Sequence, residues 1–159
     1  MGRYWAALVA ALGLALPAMA SDWTVLRAEG FSAELPGAAT HIRSGDYQPE
    51  QWLLVGGDGA YAIFLVPTAG EADEAVLDTV LDSGVEAMAG QVQRRWTVQA
   101  EGRRVRWADF EGQASDLPVA GQAIAIARPG AVLVAMALTP EGGDPAGVAR
   151  FLNSVTITN

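Results

Sequence analysis

The stretch QAIAIARPGAVLVAMAL, residues 122–138, contains two apolar strands joined by a turn at Pro129-Gly130. In the first strand, Ile124 and Ile126 place bulky side chains on one face, and the intervening alanines keep the other face small. Because both faces are apolar, we expect these strands to lie in the centre of a sheet that is covered on both sides. The stretch therefore predicts a layered domain built around an antiparallel hairpin.

A second hairpin precedes this stretch in the chain. The segments RRWTVQA and RRVRWAD flank Glu101-Gly102, and a two-residue turn there sets Val98 opposite Val105 and Trp96 opposite Trp107. Aromatic pairs across neighbouring strands contribute up to about 1 kcal/mol to the stability of a sheet. The face opposite the tryptophans then carries polar side chains, which are Thr97, Gln99, Arg104 and Arg106.

Periodicity and turn residues predict the remaining elements. The further strands are predicted at residues 22–28, 31–35, 40–47, 51–55, 61–66 and 155–158. A long helix is predicted over residues 71–92, with an apolar stripe of Leu77, Leu81, Val85, Met88 and Val92. A second helix begins at Pro145 after a capping Asp144, and its core face holds Val148, Phe151 and Leu152. These elements predict an α+β domain of mainly antiparallel strands and two helices.

The first 20 residues have the pattern of a secretory signal peptide. Arg3 precedes an apolar run, and Ala18 and Ala20 occupy the small-residue positions of an A-x-A site. We expect cleavage after Ala20, one mature domain over residues 21–159, and a location in the periplasm or outside the cell. No later stretch is long and apolar enough for a membrane span, so we expect none after the signal is removed.

The composition excludes several classes of protein. The chain has no cysteine, which rules out disulfides, zinc–thiolate sites and cysteine nucleophiles. Its 18 acids outnumber its 10 bases, all of them arginine, and loss of Arg3 takes the formal net charge from −8 to −9. A domain this acidic lacks the basic face of a general nucleic-acid binder and is not attracted to anionic lipid. We expect no nucleic-acid partner.

Several stretches resemble the PsbP-like class. They are DW…FSAELPG near the mature start, YAIFLVP, the hairpin IAIARPGAVLVAMAL and the closing RFLNSVTI, and together they span about residues 22–158. The class includes the extrinsic PsbP subunit of photosystem II, a Ran-binding regulator of nuclear import, and exported bacterial domains of unknown function, which this chain resembles most. The resemblance implies an antiparallel sheet sandwiched between helices (an α/β/α sandwich) and a role in binding or assembly. It supplies no catalytic residue.

Catalytic and metal-binding patterns are weak in this sequence. His41 is the only histidine, and no serine lies in a G-x-S-x-G elbow. One histidine cannot build an H-E-x-x-H or three-histidine zinc site, and the acids near turns do not have the spacing of a calcium loop. We therefore assign no catalytic or metal residue and expect neither enzyme activity nor a cofactor. A hydrolase that uses His41 is the remaining enzymatic hypothesis.

Two charged clusters are the candidate sites. The acidic face has residues four apart on the long helix, which are Glu74, Asp78, Asp82 and Glu86. The arginine cluster consists of Arg94, Arg95, Arg103, Arg104 and Arg106. The acids form either a solvated helix face or a docking face for a basic partner. The arginines either pair with these acids, Asp109 or Glu111, or bind an anion or a partner. Trp96 and Trp107 are either core residues or a ligand platform.

These observations favour an exported, non-enzymatic interaction or assembly module of the bacterial cell envelope, with an unidentified protein partner. The alternative is a small-ligand carrier with a pocket between the sheet and the long helix. Its basis is the small-residue lining of Gly84, Ala87, Ala123, Ala125 and Ala127, although close packing of the two layers is the favoured interpretation of these residues. The sequence does not indicate the oligomeric state.

Overall fold

The computed structural model describes residues 22–43, 49–56, 59–87, 89–114, 116–141, 143 and 145–158. Within these ranges the chain forms ten strands and two helices. In chain order they are β1 (Thr24–Ala28), β2 (Phe31–Leu35), β3 (Thr40–Ile42), β4 (Glu50–Gly56), β5 (Gly59–Pro67), α1 (Glu74–Glu86), β6 (Gln91–Ala100), β7 (Arg103–Ala114), β8 (Leu117–Arg128), β9 (Ala131–Pro140), α2 (Pro145–Ser154) and β10 (Thr156–Ile157).

The strands form two antiparallel sheets. The main sheet has seven strands in the order β3-β4-β5-β9-β8-β7-β6, and the small sheet has the order β1-β2-β10. The predicted central hairpin is confirmed, because β8 and β9 pair inside the main sheet and Leu133, Val134 and Ala135 are fully buried. The small sheet is separate from the main sheet: among the described residues, its central strand β2 pairs with β1 and with β10, a strand more than 100 residues later in the chain.

Each face of the main sheet packs against a helix. On one face, Leu77 and Leu81 of α1 share a core cluster with Ala123 and Ala125 of β8, and none of the four is more than 2% exposed. On the other face, α2 and the small sheet form a second core cluster with Ile124. The expected α+β fold, a mainly antiparallel sheet sandwiched between helices, is therefore confirmed, with the small sheet sharing the second layer.

The long helix is shorter than predicted. It begins after Asp73, whose side chain accepts a hydrogen bond from the backbone N–H of Val76 at 2.9 Å, and ends at Glu86. Ala89 then adopts a left-handed conformation with φ 49°, and the N–H of Gly90 donates to the carbonyl of Val85 at 3.0 Å. These contacts end the helix, as left-handed residues commonly do.

The predicted extension of this helix to Val92 was wrong. Val92 lies in β6 opposite Phe110, and its side chain packs against the same core cluster as α1. Its helical spacing from Val85 was therefore compatible with core packing but not with a continuous helix. Met88, on the same predicted stripe, lies outside the described residues.

The hairpin of β6 and β7 has the predicted register. Trp96 lies opposite Trp107, and Val98 lies opposite Val105. The turn residues Glu101 and Gly102 have φ values of 52° and 74°, as a two-residue hairpin turn with both central residues left-handed requires.

Strands β7 and β8 extend further than predicted. Their ladder continues until Ala114 pairs with Leu117. The intervening EGQASDLPVAG was not predicted as strand because Gly, Pro and Asp are typical of loops.

Some predictions fall on residues that the structure does not describe. These are the segment 1–20 with cleavage after Ala20, the end of the third predicted strand from Ser44, and the capping Asp144. The described part of that strand is β3, Thr40–Ile42. Among the described residues, no helix is both long and apolar enough to cross a membrane.

Candidate functional site

The main sheet separates the five arginines of the predicted cluster. Side chains of adjacent residues in a strand point to opposite faces, and residues directly opposite in a ladder share a face. Arg95 and Arg106 accordingly lie on the face covered by α1, where they meet its acids. Arg94 and Arg103 share the face of Trp107 and Val105, which pack in the second core cluster. Arg104 is exposed on the α1 side of the hairpin.

Arg106 joins β7 to α1. Its Nε lies 2.7 Å from Oδ1 of Asp78, its Nη2 lies 3.0 Å from Oδ2 of Asp78, and its Nη1 lies 3.0 Å from Oε1 of Glu74. Its side chain is 15% exposed. The hydrogen bonds to Asp78 raise the pKa of Arg106, the nearby negative charges raise it further, and burial opposes them. A bidentate contact of this kind fixes the helix on the sheet.

Arg95 makes a second contact with the same helix. It pairs with Asp82, and its Nε lies 3.9 Å from Oδ1 of Asp78. Three members of the predicted acidic face therefore contact arginines of the predicted arginine cluster. The fourth, Glu86, is exposed in the last turn of α1. Two of the five arginines, Arg95 and Arg106, thus compensate three of the four acids within the molecule.

The opposite face of the hairpin carries a stack of three side chains, which we call the tryptophan stack: Arg94, Trp96 and Trp107. The two indole rings lie 5.7 Å apart at 17°, and the guanidinium of Arg94 lies 4.6 Å from the centre of the Trp96 ring. Asp109 holds Arg94 through contacts of 2.8 and 3.0 Å and accepts a 2.7 Å hydrogen bond from Gln122. Both tryptophans are half-buried. The stack is thus an ordered cation–aromatic surface.

A small cavity lies at the tip of the same hairpin. The ladder between β7 and β8 begins with Val105 opposite Ile126, so the hairpin residues beyond Val105 extend past it. The cavity has a volume of ≈ 120 Å³ and is lined by Ala100, Glu101, Arg103, Val105, Ile126, Val155, Thr156 and Ile157. We call it the tip cavity. Sequence reasoning missed it because its walls come from three segments, 100–105, 126 and 155–157, and no local sequence pattern indicates that such distant segments are in contact.

The tryptophan stack and the tip cavity belong to one exposed region. Val98 lies between them on the same face and is 40% exposed. We call this region the hairpin surface, and it consists of the tryptophan stack, Val98, Arg103 and the tip cavity. It combines aromatic and apolar groups with cationic side chains.

The small residues proposed to line a carrier pocket lie between α1 and the main sheet. Ala123 and Ala125 are 0% exposed, Gly84 is buried, and Ala87 and Ala127 are half-buried. The four alanines pack in one core cluster with the apolar side chains of α1, and Gly84 is a buried residue of that helix. Small side chains here let the helix approach the sheet closely, and the tip cavity lies on the other face of that sheet.

His41 lies at the edge of the main sheet, far along the sheet from the hairpin surface. Its ring stacks on Trp52 with centroids 4.7 Å apart and an angle of 2°. Its Nε2 lies 3.8 Å from a carboxylate oxygen of Glu50, which also pairs with Arg43 at 3.2 Å. Within the described ranges, no group of three or more His, Asp or Glu side chains is arranged to hold a metal ion.

Comparison with known proteins gives structural matches only. No family model and no curated protein matches the chain. The solution structure of cyanobacterial PsbP (CyanoP) from Synechocystis sp. PCC 6803 matches with a TM-score of 0.61 and 11% identity, covering 92% of this chain and 98% of that one. A crystal structure from Bacteroides thetaiotaomicron VPI-5482 matches with a TM-score of 0.57 and 10% identity, covering 89% of this chain.

The chain spans half the length of the Bacteroides protein, since the match covers 50% of it. CyanoP, in contrast, is matched over nearly its whole length. At these identities the similarity concerns the arrangement of the elements, and it carries no site residue from one protein to the other. The order of hairpins and helices predicted from the sequence and the match to CyanoP agree: this chain has the PsbP-like fold.

Proposed function

We propose that this chain is a non-enzymatic interaction module exported to the cell envelope, and that it docks a protein partner through the hairpin surface. The observation that carries the proposal is the tryptophan stack beside an exposed valine. Tryptophan and arginine are the side chains most enriched at the energetic centres of protein interfaces. Val98, 40% exposed beside them, adds apolar area that a partner would remove from water.

The stack is already ordered before any partner arrives. Asp109 holds Arg94 over Trp96, and Trp107 packs against the other indole. Side chains fixed in this way lose little conformational entropy on binding, which favours affinity. The tip cavity extends the surface with an apolar recess. Its ≈ 120 Å³ suits a single side chain of a partner, whereas small-molecule sites occupy about 300–1,000 Å³.

Export and the absence of catalysis are further parts of the proposal. Residues 1–20 have the pattern of a signal peptide, which supports an envelope location. His41, the only histidine, contacts an aromatic ring and a carboxylate that also binds Arg43, and these contacts among the described residues include no nucleophile. A partner protein, rather than a substrate, is therefore the expected ligand.

The first test is recovery of a partner from the envelope of the host. Reversal of Arg94 and Arg103 to glutamate changes the two cationic side chains of the hairpin surface and leaves Arg106 to hold α1. Native mass spectrometry of the wild type is expected to show a protein-sized added mass, and the double variant is expected to lose it. An added mass below about one kilodalton would instead indicate a carrier, because bound small ligands are of that size.

A matched control reverses two exposed arginines elsewhere, Arg27 and Arg43, with the same change in net charge. This control is expected to keep the partner. If both double variants lose the partner equally, net charge explains the loss. If both keep it with unchanged thermal stability, the hairpin surface is not the docking site.

A further inference from the structure

Strand β6 is a long free edge of the main sheet. It has ten residues and is the last strand in the sheet order, and within the part of the chain that the structure describes it pairs only with β7. In a two-residue hairpin the pair that closes the turn, here Ala100 with Arg103, is hydrogen-bonded, and bonded pairs alternate along the ladder. Trp96 and Val98 therefore direct their backbone N–H and C=O groups to β7. Arg95, Thr97 and Gln99 direct theirs away from β7, to the free edge of the sheet. Such a row is a template for another strand.

The charged side chains on this edge strand are paired within the molecule and therefore protect the edge less than free charges would. Proteins commonly guard edge strands with charged side chains and bulges. The two charges on β6 are Arg94 and Arg95, and both are compensated within the molecule, by Asp109 and Asp82. The ladder with β7 is irregular between Val92 and Arg94, which leaves the segment 94–100 as a regular edge.

The segment 94–100, RRWTVQA, is complementary to itself when two copies run antiparallel. We propose that two copies of this chain pair through β6, with the two-fold axis at Thr97. Thr97 then lies opposite Thr97 of the second copy, and Val98 lies opposite Trp96 of the second copy. Pairs of threonines and of an aromatic with a β-branched residue both stabilise neighbouring strands. The exposed Val98 of each copy then lies against Trp96 of the other copy.

The charged positions also fit this register. Arg95 lies opposite Gln99 of the second copy, and Arg94 lies opposite Ala100, so no two arginines face each other. The two Arg95 residues are about 14 Å apart, since four residues of strand separate them along the edge. A surface that meets itself in this way is an isologous interface, the common type in homodimers. The pairing would join two seven-stranded sheets and set their hairpin surfaces side by side on one face.

This inference does not depend on the proposed function, and its test needs no partner. The chain has no cysteine, so a single introduced thiol reports on one position only. In the proposed register, Thr97→Cys places two thiols on the axis with Cα atoms about 5.5 Å apart, a separation that a disulfide spans. Gln99→Cys on the same strand and face places them about 14 Å apart, beyond that range. Mild oxidation is expected to link the first variant and leave the second unlinked.

Sedimentation of the wild-type chain, which has no cysteine, measures the equilibrium between monomer and dimer. The wild type is expected to show dimer that increases with concentration, and Val98→Arg is expected to be monomeric, because the substitution removes the contact with Trp96 and adds two charges at the axis. Val25→Arg, at a 54% exposed valine of the small sheet, is the control and is expected to match the wild type. Equal linking of both cysteine variants, or a wild type that stays monomeric over the whole concentration range, would overturn the proposal.

Discussion

At the scale of single residues, Gly121 shows how closely the main sheet packs. It lies opposite Phe110 in the ladder of β7 and β8. A Cβ built at Gly121 would lie 2.5 Å from Cζ of Phe110 and closer still to the carbonyl oxygen of Ala137. We expect Gly121→Ala to lower the free energy of unfolding by about 1–3 kcal/mol, since overpacking forces backbone and ring to move. Urea unfolding measures this change.

Gly56 is the matched control for this substitution. It also lies in a strand, β4, and a Cβ there meets no described atom within 4 Å. Gly56→Ala is expected to change the free energy of unfolding by less than about 0.5 kcal/mol, as is usual for surface positions. A similar loss in both variants would mean that the steric argument at Gly121 is wrong.

Arg106 is the second residue whose role the structure defines. Arg106→Leu would leave Asp78 without its two hydrogen bonds at a half-buried site. We expect a loss of about 1.5–3 kcal/mol in urea unfolding, the range for hydrogen bonds to charged groups. Arg104→Leu, the same change at an exposed neighbour, is expected to cost less than about 0.5 kcal/mol. Equal losses in the two variants would contradict a clamping role for Arg106.

The pH dependence of this contribution follows from the direction of the pKa shift. Hydrogen bonds to Asp78 raise the pKa of Arg106 above the value in the unfolded chain. The stability that comes from its charge is therefore complete below the unfolded pKa and is lost only as pH rises through the folded one. Both values lie far above neutrality, so the deprotonation of Arg106 adds no slope between pH 5 and pH 8.

At the scale of elements, the end of α1 explains why periodicity predicted too long a helix. Val85 and Val92 are one helical repeat apart, and both pack in the same core cluster. The chain nevertheless turns at Ala89, where φ is 49°, a conformation that costs a residue with a Cβ about 1–2 kcal/mol. The sequence places alanine rather than glycine at this position, so the usual stop signal for a helix is shifted by one residue to Gly90.

This local strain gives a prediction with opposite signs at two nearby alanines. Ala89→Gly is expected to raise the free energy of unfolding by about 0.5–1 kcal/mol, because glycine adopts φ above zero without a steric cost. Ala87→Gly, at a right-handed residue with φ −63°, is expected to lower it by up to about 1 kcal/mol. Thermal unfolding of both variants decides the matter, and a change of the same sign in each would contradict the backbone argument.

Local sequence patterns predicted the hairpins and helices of the molecule better than the pairing of elements that are far apart in the chain. The turn at Glu101-Gly102 set the register of β6 and β7, and the two apolar faces of residues 122–138 set the centre of the sheet. The separate small sheet was not predicted, because it depends on Thr156 meeting Ser32 across the length of the chain. Strand pairing over such a distance leaves no periodic signal.

In the candidate site, too, the local strand pattern was predictable and the contacts between distant elements were not. Strand alternation predicted that Arg106 and Trp107 point to opposite faces, but sequence alone left open whether the arginines pair within the molecule. The structure places Arg95 and Arg106 against the acids of α1 and leaves Arg94 in the tryptophan stack. Which charges meet depends on where the helix lies on the sheet, and this was the least predictable part of the fold.

Hydrogen exchange of the whole chain tests the sheet order and the proposed pairing together. The slowest amides are expected in β9, the middle strand, where residues 132–139 are all buried.

In dilute solution the amides of Trp96 and Val98 are expected to exchange more slowly than those of Thr97 and Gln99, which point to the free edge. If copies pair through β6, the Thr97 and Gln99 amides gain protection as concentration rises, whereas the Val25 amide does not. Protection of Thr97 that is unchanged over the whole concentration range would contradict the pairing, and equal protection along β6 at high dilution would contradict the orientation derived from the turn.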